Sequence, residues 1–277
     1  MPALDSAPSL LPLYARAAVT GPLHRGDSLP DSVYTLADQS MDAAHLAEYQ
    51  RVCGFGVSDV LPPTYLHVLA FPLSVALMTE RGFPFPLVGM VHVANSITIG
   101  RPVQVDETVS FEVRAADLRP HSAGRQFDLL ARATVGDEEV WSGRSTYLRR
   151  GKSSGEKSPR SELGEQAGPI AQVRVPGDIG RRYGAVSGDR NPIHLHSLTA
   201  RAFGFKSAIA HGMWLKARTL ATLEGRLPDS YTADVAFKLP VPLPSTIAVA
   251  TSHDGDAWTL DVRSARSGKP HLAGSVG

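Results

Sequence analysis

From Arg149 to about Ala167 the chain reads RRGKSSGEKSPRSELGEQA, a stretch with almost no apolar side chain. Such a stretch cannot offset the entropy of its own ordering by burial, so it predicts a linker rather than a structureless loop inside one domain. At 277 residues the chain has room for two folded units of about 100 to 150 residues, each with a real core. The expected division is an N-terminal unit over 1–150, a linker over 151–168 and a C-terminal unit over 169–277.

The two units read alike. In the first, Pro2, Pro8, Pro12 and Pro22 interrupt any early helix, and Val33, Tyr34 and Leu36 begin a strand. A helix is expected from Pro63 through Glu80, with Pro72 kinking it or marking its true beginning, and Gly82 ending it. Period-two alternation follows at Val91 and Val93, at Val109, Phe111 and Val113, and from Phe127 to Val135, after which GDEE turns the chain back through Val140 and Trp141 to Leu148. In the second unit a helix from about Gly212 to Glu224 precedes strands at Asp234 to Lys238, Ile247 to Thr251, Trp258 to Val262 and near Leu272. Laying Pro102 on Pro240 also lays Val109 on Ile247 and Ser74 on Gly212 without a gap, which suggests duplication. In the second helix Met213, Trp214, Ala217, Leu220 and Ala221 share one arc, with Lys216, Arg218, Thr219 and Thr222 opposite and Gly225 as a left-handed cap. A helix wrapped by a curved antiparallel sheet, twice over, is the α+β architecture these elements favour.

Lys plus Arg number 28 against 27 for Asp plus Glu, so the overall field gives no reason to expect nucleic acid or an anionic membrane as partner. The single cysteine, Cys53, forms no internal disulfide, which suits a reduced cytoplasmic setting. No apolar run is long enough to span a bilayer, and LLPLYARAAV lacks the basic segment that precedes a secretion signal. The abundance of Gly (25) and Pro (21) suits many turns and short strands.

The chemistry concentrates between Tyr183 and Gly225. In SGDRNPIHLH, Asn191 precedes Pro192 and is biased to extended backbone, so the segment turns and Asp189 can meet His194. A carboxylate and an imidazole converging on one point can hold and deprotonate a water, with Asn191 fixing either. The competing reading is that Ser187, Asp189 and Asn191 make turn and capping bonds and His194 is an ordinary surface side chain. In IAHGMW, a glycine at the first turn of a buried helix leaves its N–H open, and the helix dipole favours developing negative charge there. Gly212 is thus a candidate oxyanion donor, or a glycine required for tight packing alone.

The string YGAVSGDRNPIH, followed by AFGF and AHGM, closely resembles the hydratase-2 motif of the MaoC-like family, the (R)-specific 2-enoyl-CoA hydratases or 3-hydroxyacyl-thioester dehydratases. The order of the remainder and its FKLPVPLP segment resemble the two-domain, double hotdog members. The resemblance implies a long helix swaddled by antiparallel strands in each half, Asp189 and His194 as the catalytic pair, Asn191 as an assisting group and Gly212 N–H as the oxyanion donor. It implies that the first half, which reads YQRVCGFGVSDVLPPTYLH and lacks the SGDxNPxH constellation, has lost its site and helps form an acyl pocket. His196 departs from the family pattern, where many relatives carry Asp.

The expected activity is hydration of a trans-2-enoyl thioester of coenzyme A or acyl carrier protein in fatty acid metabolism, with no metal or other cofactor, by a monomer or homodimer. An acyl thioesterase and a noncatalytic acyl-binding protein are the rival readings, since one scaffold supports many functions. Asp59 and His67 are poor catalytic candidates at their spacings, a metal site on Asp189, His194 and His196 lacks a further ligand cluster, and Phe71, Leu73, Val75 and Leu77 are candidate pocket walls.

Overall fold

A computed structural model describes residues 3–4, 6–10, 12–14, 27–151 and 170–277. The expected linker therefore lies almost wholly outside the described residues, as does much of the chain before residue 27. The first half contains β1 (Ala3–Leu4), β2 (Val33–Gln39), α1 (Ala43–Cys53), α2 (Pro63–Met78), β3 (Met90–Ile99), β4 (Val109–His121), β5 (Gly124–Val135) and β6 (Glu138–Arg150). The second contains β7 (Ile170–Val175), α3 (Ile179–Ser187), α4 (Pro192–Leu195), α5 (Ser197–Ala202), α6 (Gly212–Leu220) with a 3-10 turn at Ala221–Leu223, then β8 (Tyr231–Phe237), β9 (Ser245–Asp254), β10 (Ala257–Ser264) and β11 (Pro270–Val276). None of the described helices is long and apolar enough to cross a membrane.

One sheet runs in the order β1-β2-β4-β5-β6-β3-β8-β11-β10-β9-β7. Counted inward from β2 and from β7, β2-β4-β5-β6-β3 repeats as β7-β9-β10-β11-β8, the symmetry expected from duplication, with β1 added outside β2. The halves join where β3 and β8 pair antiparallel, with Ser96 opposite Asp234 near the middle. Each half wraps one long helix, α2 or α6, which is the double hotdog architecture.

The gapless register does not carry Ser74 onto Gly212 as a structural equivalent, because Ser74 sits well inside α2 whereas Gly212 opens α6. The two central helices begin at Pro63 and Gly212, and the first helix and the connection after it are longer. Nor does Pro72 break α2, which continues through it. That helix is buried on nearly every side, and tertiary burial outweighs the lost backbone hydrogen bond.

The polar arc expected on α6 is also overturned, since Lys216 and Thr219 are both 0% exposed. Thr219 donates its hydroxyl to Leu215 O at 2.8 Å within the helix. Lys216 Nζ donates to Asn95 Oδ1 at 2.6 Å, Ala233 O at 2.8 Å and Asn95 O at 3.2 Å, so an ammonium with three hydrogens meets three oxygens beneath the β3–β8 seam. Gly225 is left-handed at φ 73° but does not cap α6, which ends at Leu220 with Ala221 in right-handed backbone as its cap and continues as the 3-10 turn.

Candidate active site

Helix α3 ends at Gly188 in left-handed backbone, and the chain then folds back along it through Asp189 and α4. Two glycines of α3 permit that close approach. A Cβ on Gly180 would stand 1.9 Å from His194 O, and one on Gly184 2.9 Å from Asp189 O. Both contacts are backbone, so the loop and not a flexible side chain would have to yield. Gly180→Ala is expected to cost about 1–3 kcal/mol through this overpacking, read as a lowered thermal midpoint; an unchanged midpoint would mean the loop shifts freely.

The turn brings Asp189 and His194 together. Ligand atoms of Asp189, His194 and His211 all lie within 4.8 Å of one another. His194 Nδ1 lies 2.8 Å from Ile209 O, and since a carbonyl only accepts, Nδ1 carries the hydrogen and Nε2 keeps its lone pair. Asp189 Oδ1 accepts from Asn191 N–H at 3.1 Å and from the Tyr14 hydroxyl at 3.0 Å. Burial opposes the Asp189 charge, but His211, His194, the Asn191 amide and Tyr14 outweigh it and hold the carboxyl below its usual range. Burial lowers His194 below its usual 6.5, against the pull of Asp189 and the Ile209 carbonyl. At neutral pH the site therefore pairs an ionised carboxylate with a neutral imidazole.

Asn191 supports the site differently from expectation. Its side-chain Oδ1 accepts from Ile193 N–H at 3.4 Å as the N-cap of α4, and its main-chain N–H is what holds Asp189. His196 caps α5, accepting from Leu198 N–H on Nδ1 at 3.3 Å, so it belongs to the scaffold. Gly212 opens α6, where its N–H has no acceptor within the helix. A Cβ there would meet the Phe237 ring at 3.1–3.2 Å, and Phe237 packs edge-on to His92 with centroids 5.1 Å apart.

A cavity of about 30 Å3, room for a water molecule, adjoins Asp189 and is lined by His67, Phe71, His92, Tyr147, Tyr183 and Met213 among others. Of the expected pocket residues Phe71 lines it; Leu73, Val75 and Leu77 are 0% exposed core. Asp59 is exposed and stands apart. His92 was invisible to the alternation argument because the β3 register shifts between His92 and Ala94, which turns His92 inward with Met90 while Asn95, Ile97 and Ile99 keep the opposite parity; Tyr147 is its partner across the β3–β6 ladder. His92 stacks on Tyr147 at 4.6 Å, and burial lowers His67 to about 4 and His92 to about 3.

His211 is the other residue that sequence reasoning left without a role. Its Nε2 donates to Asp189 O at 3.0 Å, and its ring stacks on His194 with centroids 3.7 Å apart. Burial and the neighbouring His194 lower it to about 3. Its signal was proximity to Gly212 in AHGM, which gave no direction for the ring. One ligand atom from each of these three residues lies close enough to share a metal ion, while His194 and His211 each already spend one ring nitrogen on a backbone carbonyl. His196, weighed as a ligand from sequence and set aside, accepts from Leu198 N–H.

A paired hotdog scaffold with an acid and imidazoles at the start of one central helix defines the class of the hotdog dehydratases. The MaoC like domain family matches residues 161–273. A curated relative, 3-hydroxyacyl-thioester dehydratase X of Mycobacterium tuberculosis (strain ATCC 25618 / H37Rv), is 37% identical over 267 residues, 95% of each chain. The crystal structure of HtdX of Mycobacterium tuberculosis superposes with a TM-score of 0.80 at 36% identity, over 88% of this chain and 99% of that one. A MaoC-like dehydratase from Phytophthora capsici shares the fold with a TM-score of 0.72 at 20% identity, over 90% of this chain and 94% of that one. The chain belongs to the MaoC-like dehydratase family, and it is a hydro-lyase.

Proposed function

We propose that the protein catalyses reversible addition of water to the trans-2 double bond of acyl thioesters in fatty acid metabolism, giving (R)-3-hydroxyacyl thioesters. Asp189 and His194 are the catalytic pair, Gly212 N–H the oxyanion donor, and Asn191 a support through its main chain. The observation that carries this reading is the convergence of Asp189 with an imidazole whose Nε2 lone pair is free; the small cavity that admits a water is lined by Asp189 and not by His194 or Gly212.

Both groups accept hydrogen bonds. A water between them gives one hydrogen to Asp189 Oδ2 and the other to His194 Nε2, which leaves an oxygen lone pair for C3 of the enoyl group. One of the two acceptors takes a proton as the C–O bond forms, and the same proton returns to C2 from that face. The charge that develops on the thioester oxygen falls to the Gly212 N–H at the positive end of α6.

Residues 1–150 are the noncatalytic half, 151–168 the connection and 169–277 the catalytic half in this reading. Where α6 opens with Gly212, α2 opens with Pro63, which has no N–H to offer an oxyanion. The first half instead supplies His67, Phe71, His92 and Tyr147 to the wall of the small cavity beside Asp189.

The test is incubation of purified protein with trans-2-enoyl thioesters of coenzyme A and of acyl carrier protein, following loss of enoyl absorbance and the configuration of the product. The expected result is (R)-3-hydroxyacyl product without release of free thiol. Thiol release with the double bond intact would replace this reading with a thioesterase.

A further inference from the structure

The described residues before 15 reach the active site from the opposite half. β1 pairs parallel to β2, Ala3 opposite Thr35 and Leu4 opposite Leu36, on the edge of the first half's sheet. Leu10 and residues 12–14 are helical, and Leu4, Leu10 and Leu13 pack against the core. A Cβ on Gly188 would stand 2.3 Å from Leu10 Cδ1, so Leu10 rests on the residue just before Asp189. From this anchorage the half-buried Tyr14 donates its hydroxyl to Asp189 Oδ1 at 3.0 Å.

We infer that Tyr14 is a positioning residue for the dehydratase reaction, holding Asp189 Oδ1 so that Oδ2 is the oxygen presented to the catalytic water. The inference rests on the proposed role of Asp189. Tyr14 and the Asn191 amide both occupy Oδ1. The carboxylate plane is fixed by these two donors, and only Oδ2, 3.9 Å from His211 Nε2, remains without such a pair. Burial, then the Asp189 charge, push the Tyr14 phenol far above its ordinary 10.0, so it stays a donor at every working pH and is no base itself. Its bond favours the charged form of Asp189, one of the causes holding that carboxyl low. The other titratable groups facing Asp189 are His194 from α4, His211 before α6, Tyr183 from α3, Tyr147 from β6, His67 from α2 and His92 from β3.

The experiment compares wild type, Tyr14→Phe and Asp189→Asn in hydration of crotonyl-CoA across pH, with thermal midpoints recorded. Tyr14→Phe keeps the ring and its packing and removes only the hydroxyl. The expected result is a kcat lowered about tenfold or more, as for a hydrogen bond to a charged group, KM little changed, the midpoint retained, and the acid limb of kcat/KM displaced to higher pH. A lowered rate with an unmoved acid limb would assign Tyr14 to packing and overturn the inference, as would an unchanged rate. Asp189→Asn separates the two levels of argument. If it abolishes turnover while Tyr14→Phe behaves as wild type, the role of Asp189 stands and only that of Tyr14 falls; if Asp189→Asn retains full activity, the proposed catalytic pair itself is wrong.

Discussion

Asp189→Asn is expected to lower kcat for hydration of crotonyl-CoA by about a thousandfold, within the range for loss of a positioned general base. The fold should survive. The amide keeps an oxygen for the Tyr14 hydroxyl and the Asn191 N–H, which are the bonds that tie the loop down. What disappears is the negative charge beside the water and one of its two acceptors. His194→Gln should act with similar force by removing the free Nε2, although it also removes the ring on which His211 stacks. Because Asp189 is held low by its partners and His194 is lowered by burial, wild-type activity should be retained on acidification below the usual imidazole range and be lost only as the first of the two takes up a proton. Near-normal turnover by both variants, in protein that melts at the wild-type temperature, would remove the pair from the mechanism.

Lys216→Ala is expected to cost about 3 kcal/mol or more, through the cavity left in a packed helix interface and through the acceptors it strands. Asn95 and Ala233 would each lose a charged donor beneath the seam. Lys216→Met fills the space and isolates the charge. Burial pulls the Lys216 ammonium from its ordinary 10.5 to about 7, with Asp234 pulling weakly the other way. Between those two values the unfolded chain binds more protons than the folded one, so the stability contribution of this group rises as pH climbs from about 7 toward 10.5 and is lost as pH falls back through that window. Urea midpoints at pH 7 and pH 9 should therefore diverge in the wild type by more than in Lys216→Met. Equal slopes in the two proteins would show that Lys216 does not titrate differently on folding.

Alternation and turn residues made most strands legible, because a sheet with one packed face writes its pattern with period two. The SGDRNPIH turn made Asp189 and His194 legible for a different reason: proline forces the chain out of a helix and brings residues five apart together. Helical arcs failed where burial was complete. Lys216 and Thr219 look like a solvent face by charge and polarity, yet α6 is enclosed by the sheet and by α2, and the polar groups are satisfied by backbone carbonyls instead of water. Val91 and Val93 predicted the wrong inward set near the cavity because one bulge reverses parity, and no residue in VHVAN announces it. Tyr14 carried no signal at all, since its partner lies in the other half and the prolines around it obscure the local pattern. His211 was adjacent to a recognised glycine, but stacking depends on where the loop at Ile209 places the facing ring.

Because β3 and β8 are each other's neighbours in an unbroken ladder, neither half owns a finished boundary on that side. A gene cut at the connection would release each half with an uncapped row of amide and carbonyl groups, ready to recruit any extended strand it met. Separate expression of the second half should accordingly yield self-association or insolubility, and co-expression with the first half should restore a dispersed product.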